Sequence, residues 1–88
     1  MLFSLGQVVV TRNCLSYAQE NEVNLTELVE RHANGDDGDL CKADQALNNL
    51  AIQTEGRVFS CYIINSAKFY VITEWDRSYT TLMLAEDY

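Results

Sequence analysis

Val58-Phe59-Ser60-Cys61-Tyr62-Ile63-Ile64, followed by Asn65-Ser66-Ala67 and, after Lys68, by Phe69-Tyr70-Val71-Ile72-Thr73, is the stretch that decides the fold. Both flanks are dense in β-branched and aromatic residues, which suit a pleated surface, and the short polar segment between them has turn chemistry. Strands joined by so short a turn must run antiparallel. Trp75-Asp76-Arg77-Ser78 reads as a second turn and Tyr79 to Leu84 as a last strand, so the C-terminal half is a three-stranded meander. One face of it should hold Val58, Ser60 or Tyr62 together with Tyr70 or Val71. Alternation alone does not say which set points inward.

Working back toward the N-terminus, the period changes from two to that of helices. A third helix is expected over Cys41 to Thr54, with Leu40, Ala43, Leu47, Leu50 and Ala51 as its apolar stripe and Gly56 as its stop. Asn34-Gly35-Asp36-Asp37-Gly38-Asp39 is a loop. Before it, Asn24 is placed to cap a helix, with Glu27 three residues on in a box-like start. Leu25, Leu28 and Val29 form that helix's apolar stripe, and Gly35 ends it. Thr11 or Asn13 caps a first helix through about Asn21, with Leu15 and Ala18 inward. Gln7 to Thr11 is a short strand that could join the sheet at either edge. The expectation is a single α+β domain over residues 1–88: a short N-terminal strand, two to three helices, then the meander, with the helices packed on one face.

Eighty-eight residues support one core but leave little room for a deep pocket, which argues against a multistep enzyme. The formal charge of −7 argues against direct binding to nucleic acid or to anionic membranes, since both rest on neutralising phosphate. Met-Leu-Phe-Ser-Leu-Gly has no basic region of the signal-peptide kind, and no apolar run reaches bilayer length. Cys14, Cys41 and Cys61 cannot all pair within one chain and form no CxxC, so reduced thiols and a cytoplasmic setting are expected.

The acid is unevenly placed. Between Glu20 and Asp44 there are eight carboxylates (Glu20, Glu22, Glu27, Glu30, Asp36, Asp37, Asp39 and Asp44) against Arg31 and Lys42, which is −6 of the total. A solvated helix face accounts for any one of these acids, and Asp37 or Asp39 could serve simply as the cap of the third helix. As a cluster they repel one another, and that cost suits a surface selected for its potential. The other segment of note is Thr73-Glu74-Trp75-Asp76-Arg77-Ser78. It reads either as a hairpin turn, with Arg77 paired to Glu74 or Asp76, or as a contact loop in which Trp75, Arg77 and Tyr79 are interface anchors.

Other chemistry is weakly specified. Asp36-Asp37-Gly38-Asp39 lacks the glycine position and the twelfth-position glutamate of a calcium loop. His32 lacks the further ligands of a metal site, and its place at a helix end suits the helix dipole. Pairing His32 with Cys41 or Cys61 as base and nucleophile rests on one histidine alone. No GxSxG, Walker or GxGxxG motif is present. The expectation is no catalytic residue, no metal and no cofactor.

Several runs taken in order carry a resemblance. They are Leu5-Gly6-Gln7-Val8-Val9 with Thr11; Leu28 through His32; Gly35-Asp36-Asp37-Gly38-Asp39-Leu40-Cys41 with Asp44 and Asn48; Arg57, Ser60 and Tyr62; and Val71 through Ser78 with Thr80-Thr81 and Glu86-Asp87-Tyr88. The chain resembles, over nearly its whole length, a family of short bacterial proteins of plasmids and mobile elements labelled "plasmid-related protein" or "type I restriction endonuclease subunit M". It departs from that family at Asp37, where an aromatic residue is common. The methyltransferase label does not suit a chain too short for a nucleotide-binding sheet. What the resemblance implies is a plasmid or prophage context facing host defence, with no established activity.

Together these readings lead to one expectation: a non-enzymatic acidic inhibitor of a host nucleic-acid-handling defence complex, of the anti-CRISPR or anti-restriction kind. Its partner is a basic protein or nucleoprotein, contacted through Glu27, Glu30, Asp36, Asp37, Asp39, Asp44, Trp75, Arg77 and Tyr79. The alternative is a soluble accessory module of a mobile element, compatible with a homodimer and with no inhibitory role.

Overall fold

The computed structural model describes residues 2–54 and 56–88. The hairpin is formed by β2 (Val58–Ile64) and β3 (Ala67–Thr73) in antiparallel register from Val58↔Thr73 to Ile64↔Ala67. Its turn is the two-residue kind: Asn65 and Ser66 both have positive φ, at 52° and 67°, which matches the strand twist. Ala67 is therefore the first residue of β3 rather than part of the turn. β4 (Tyr79–Leu84) pairs antiparallel with β3.

β1 (Gln7–Val10) lies parallel to β4, so the sheet is mixed and its order is β1-β4-β3-β2. The choice of edge has a physical cause, because the other edge is already filled. The N–H and C=O of Phe59 are taken by the side chain of Asn48, and those of Cys61 by the Asp39 N–H and the Asp37 carbonyl. The Ile63 N–H donates to the Asp39 carboxylate.

The register settles which alternate set points inward. Val58, Ser60 and Tyr62 share the helix-covered face with Phe69, Val71 and Thr73 and with Thr80, Leu82 and Leu84; Phe59 and Tyr70 are on the other face. On that outer face Tyr88, just after a short 3-10 turn (Ala85–Asp87), packs edge-on against Phe59 and Tyr70, whose own rings are tilted by 55°.

α1 (Arg12–Asn21) is capped by Thr11, whose hydroxyl accepts from the Cys14 N–H, and α2 (Leu25–Ala33) by Asn24, whose side chain accepts from the Glu27 N–H. Leu28 of α2 and Cys14 of α1 join Tyr62, Phe69, Val71, Leu82 and Leu84 in the main core. Ala18 is buried as expected, but Leu15 is exposed, and Cys14 and Tyr17 fill its intended role.

α3 (Lys42–Thr54) departs further from expectation. Leu47 and Leu50 are 64% and 56% exposed, while Asn48 and Ala51 are buried and Ile52 packs beside Phe3 and Val58. The helix is turned so that Asn48 can reach the β2 backbone, and this sends the leucine stripe outward. Among the described residues no helix is long and apolar enough to cross a membrane.

Candidate protein-binding surface

The acidic loop is built from the sheet edge outward. Gly35 has φ +87° and ends α2, and the Asp36 carboxylate accepts from the Gly38 N–H in a short turn. Gly38, at φ +72°, bridges Cys61 so closely that a Cβ there would strike the Cys61 carbonyl and the Tyr62 ring. Only glycine lets the loop lie flat against β2.

Each loop carboxylate has a structural partner. Asp36 is paired with Arg31 at 2.8 Å, and that guanidinium holds its carboxyl below the usual range. Arg31 also lies 4.5 Å over the ring of Tyr62, whose hydroxyl donates to the Asp36 carbonyl; burial raises that phenol to about 12. Asp37 accepts from Asn48 at 3.4 Å, and Asp39 accepts from Ile63 at 2.9 Å. Neither caps α3, the simpler role open to them from sequence. Cys41 directly precedes that helix, and its thiol donates to Asp44 at 3.4 Å.

Asp36 and Asp39 are exposed despite these contacts, and the glutamates of the cluster differ in having no ion pair among the described residues. Glu20, Glu22, Glu27 and Glu30 are exposed on the helical layer. The ion pairs found among the described residues, Arg31–Asp36 and Arg57–Glu74, involve none of them. Glu27 and Glu30, three apart, share one side of α2. Asp44 lines a groove with Leu40, Leu47, Asn48, Arg57 and Phe59 at the junction of α3 and the sheet.

The second expected patch divides. Trp75 and Tyr79 are exposed, at 64% and 43%. Arg77 is not a surface anchor. Its guanidinium donates to the main-chain carbonyls of Gly56, Ala51 and Glu74 and stands 5.5 Å over the Phe3 ring. Asp76 instead takes the Ser78 N–H and hydroxyl. Arg77 thus pins the β3–β4 turn to the end of α3, which fits the turn reading of this segment, with main-chain carbonyls as its partners rather than the Glu74 or Asp76 carboxylate.

His32 is 1% exposed and sits in a chain of hydroxyls: Nδ1 to Ser60 Oγ at 2.6 Å, Nε2 to Thr73 Oγ1 at 2.8 Å, and Thr73 to Thr80 at 2.7 Å. Proton counting fixes the direction. Thr80 donates to the Leu5 carbonyl, so Thr73 must donate to Thr80 and His32 must donate from Nε2. Burial favours the neutral ring, in which Nδ1 accepts from Ser60. Burial, with help from the Arg77 charge, lowers its pKa to about 4. The Ser60–His32–Thr73 order has the look of a nucleophile, base and orienter, yet Ser60 is 1% exposed and the Phe3 ring packs edge-on over the imidazole at 5.2 Å. It orders the joint between the two core clusters.

His32 meets neither thiol of the base-and-nucleophile pairing weighed from sequence. Cys14 and Cys61 are buried, and burial raises both thiols, Cys14 to about 11; Cys41 is exposed. Among the described residues no group of three or more His, Cys, Asp or Glu side chains is placed to hold a metal ion.

The structure therefore has Glu27, Glu30, Asp44, Asp36 and Asp39 at the surface, ties Asp36, Asp37 and Asp39 by hydrogen bonds around the β2 edge, and turns the Arg77 guanidinium to main-chain carbonyls while Trp75 and Tyr79 stay exposed. Sequence reasoning missed Asn48. A carboxamide one turn before Ala51 and Ile52 was the available signal, since an amide buried beside them requires partners. Comparison with family models, curated proteins and solved structures finds no match to this chain.

Proposed function

We propose that this chain is a non-enzymatic acidic binding protein that occupies a basic nucleic-acid channel in a host defence complex, in the manner of anti-CRISPR and anti-restriction inhibitors. The observation that supports it is the exposed set Glu20, Glu22, Glu27 and Glu30 on the helical layer, free of ion pairs among the described residues. A carboxylate paired with a cation, as Asp36 is with Arg31, projects less field than one without such a partner. These four project theirs outward, where a basic groove gains both association rate and register from it. Trp75 and Tyr79 supply exposed aromatic anchors of the kind that dominate interface energies.

The mechanism is exclusion. Carboxylates take the place of phosphates along the channel, and the nucleic acid cannot enter. Because Asp36, Asp37 and Asp39 hold the loop on β2, reversing their charge would confound binding with loop structure. The cleaner variant is Glu27→Lys with Glu30→Lys. The experiment is a plasmid-interference assay across CRISPR and restriction systems, followed by binding to the purified effector at increasing salt. Protection of the plasmid, affinity that falls steeply with salt, and at least a tenfold loss in the double variant at unchanged melting temperature are expected. Salt-independent binding that is indifferent to the double reversal would remove the electrostatic mechanism.

A further inference from the structure

The two edges of the sheet are treated in opposite ways. On β2 the edge-facing residues Phe59, Cys61 and Ile63 all have their N–H groups satisfied, by Asn48, Asp37 and Asp39, and a carboxylate stands at the rim. That is a guarded edge. On β1, Gln7 and Thr11 donate to the Ser78 and Leu82 carbonyls, so by alternation Val8 and Val10 direct their N–H and C=O groups away from β4. Among the described residues no strand lies on that side in the sheet order, and Val8, Val9 and Val10 are 46%, 37% and 37% exposed. No charged residue occurs before Arg12, although the chain carries nineteen in all.

An occupant of this edge must be extended, apolar and uncharged, and must offer a matching row of backbone groups. The chain itself contains such a segment. We propose that β1 pairs antiparallel with β1 of a second copy about a two-fold axis at Val9, joining the two sheets into one of eight strands. In that register Val8 of one copy exchanges both backbone hydrogen bonds with Val10 of the other, and the reciprocal pair does the same. Four bonds form between groups that β4 does not use. Val9 faces its own counterpart in the close, non-hydrogen-bonded position, and Arg12 falls opposite Gly6, so no like charges meet.

The acidity of the chain does not prevent this. The loop carboxylates lie at the opposite edge, three strand spacings or about 14 Å from β1, beyond the screening length of about 8 Å at physiological salt. Asp87 is held by Thr11 and Asn13 at the C-terminal end of β1, and the antiparallel axis puts the two copies of it at opposite ends of the ribbon. The pairing does not depend on the inhibitor reading, since each copy keeps its exposed α2 acids.

Sedimentation velocity on the full chain from low to several hundred micromolar tests the idea. The expected result is a dimer whose fraction rises with concentration. Val8→Pro removes a donor aimed only at the second copy and should give a monomer with an unchanged circular-dichroism spectrum, and Val9→Lys should do the same by placing two ammonium groups at the axis. Val9→Cys in a Cys41→Ser background should form a disulfide-linked dimer with oxidised glutathione as electron acceptor, because the close pair has a Cα separation of about 4.5 Å, within disulfide reach. A chain monomeric at every concentration overturns the proposal. So does a dimer that persists in both Val8→Pro and Val9→Lys while Val9→Cys fails to cross-link, since the contact would then lie elsewhere.

Discussion

The carboxamide of Asn48 reads both backbone groups of Phe59: its oxygen accepts the Phe59 N–H at 2.9 Å, and its nitrogen donates to the Phe59 carbonyl. A helix side chain here replaces one residue of a missing neighbouring strand. With the loop groups at Cys61 and Ile63, it closes the β2 edge without a fifth strand. The same contact fixes the rotation of α3, so one amide accounts for both the closed edge and the outward leucines.

Replacing Asn48 with leucine should test this role directly. The side chain is 5% exposed, so the change strands a buried N–H and C=O while keeping the volume close. A loss of about 2–3 kcal/mol is expected, the cost of leaving buried polar groups unpaired. Urea unfolding followed by far-ultraviolet circular dichroism gives the number, and hydrogen exchange should show the Phe59 amide losing protection. Leu47→Ser, on the exposed side of the same helix, should change stability by less than about 0.5 kcal/mol.

The His32 chain predicts a pH dependence. In the unfolded chain the imidazole titrates near 6.5, and in the folded protein at about 4. Between these values the unfolded state binds more protons, so stability is complete above pH 6.5 and falls as the pH drops toward 4. The loss should approach about 3 kcal/mol at the acid end. His32→Gln should be less stable at pH 7 and should lack most of this slope. Urea midpoints at pH 7, 5.5 and 4.5 for both proteins separate the two effects.

How much of this was legible in the sequence follows from where each signal resides. Strand and helix segments, Asn24 as a cap, Thr11 as one of two cap candidates beside Asn13, and the meander all follow from local period and cap chemistry, and the structure has them. The face of α3 was not legible. Leu47 and Leu50 have the spacing of a core stripe, and hydrophobicity alone cannot reveal that a polar partner on β2 outbids them for the inward position. Strand pairing is likewise non-local: the parallel β1–β4 contact depends on what covers β2, which lies some fifty residues away in sequence. Of the acids, composition could show where they cluster but not which are already engaged, and that depends on Arg31, Gly38, Asn48 and Ile63 arriving at the loop.

Arg77 illustrates the same limit and carries its own prediction. Its guanidinium serves four main-chain carbonyls on two separate segments, a geometry that a single ammonium cannot reproduce. Arg77→Lys should therefore cost about 1–2 kcal/mol and Arg77→Ala about 2–4 kcal/mol, the latter leaving carbonyls without donors. Thermal melts measure both. If Arg77 were instead an interface anchor, Arg77→Ala would melt like the wild type.

Gly38 offers the sharpest test of whether the acidic loop is a structural seal or a free surface. Its φ of +72° disfavours any side chain, and a Cβ would meet the Cys61 carbonyl and the Tyr62 ring, neither of which can yield without moving β2. Gly38→Ala should therefore lift the loop and cost more than about 2 kcal/mol, combining left-handed strain with steric overlap. With the loop displaced, the Cys61 and Ile63 amides lose their acceptors and should exchange faster, while the β3–β4 amides keep their protection. The Arg31–Asp36 pair would loosen as well, adding a carboxylate to the surface potential without any change in net charge. A Gly38→Ala protein with native melting temperature and intact protection at Cys61 would mean that the loop does not seal the β2 edge, and the contrast with the open β1 edge would go with it.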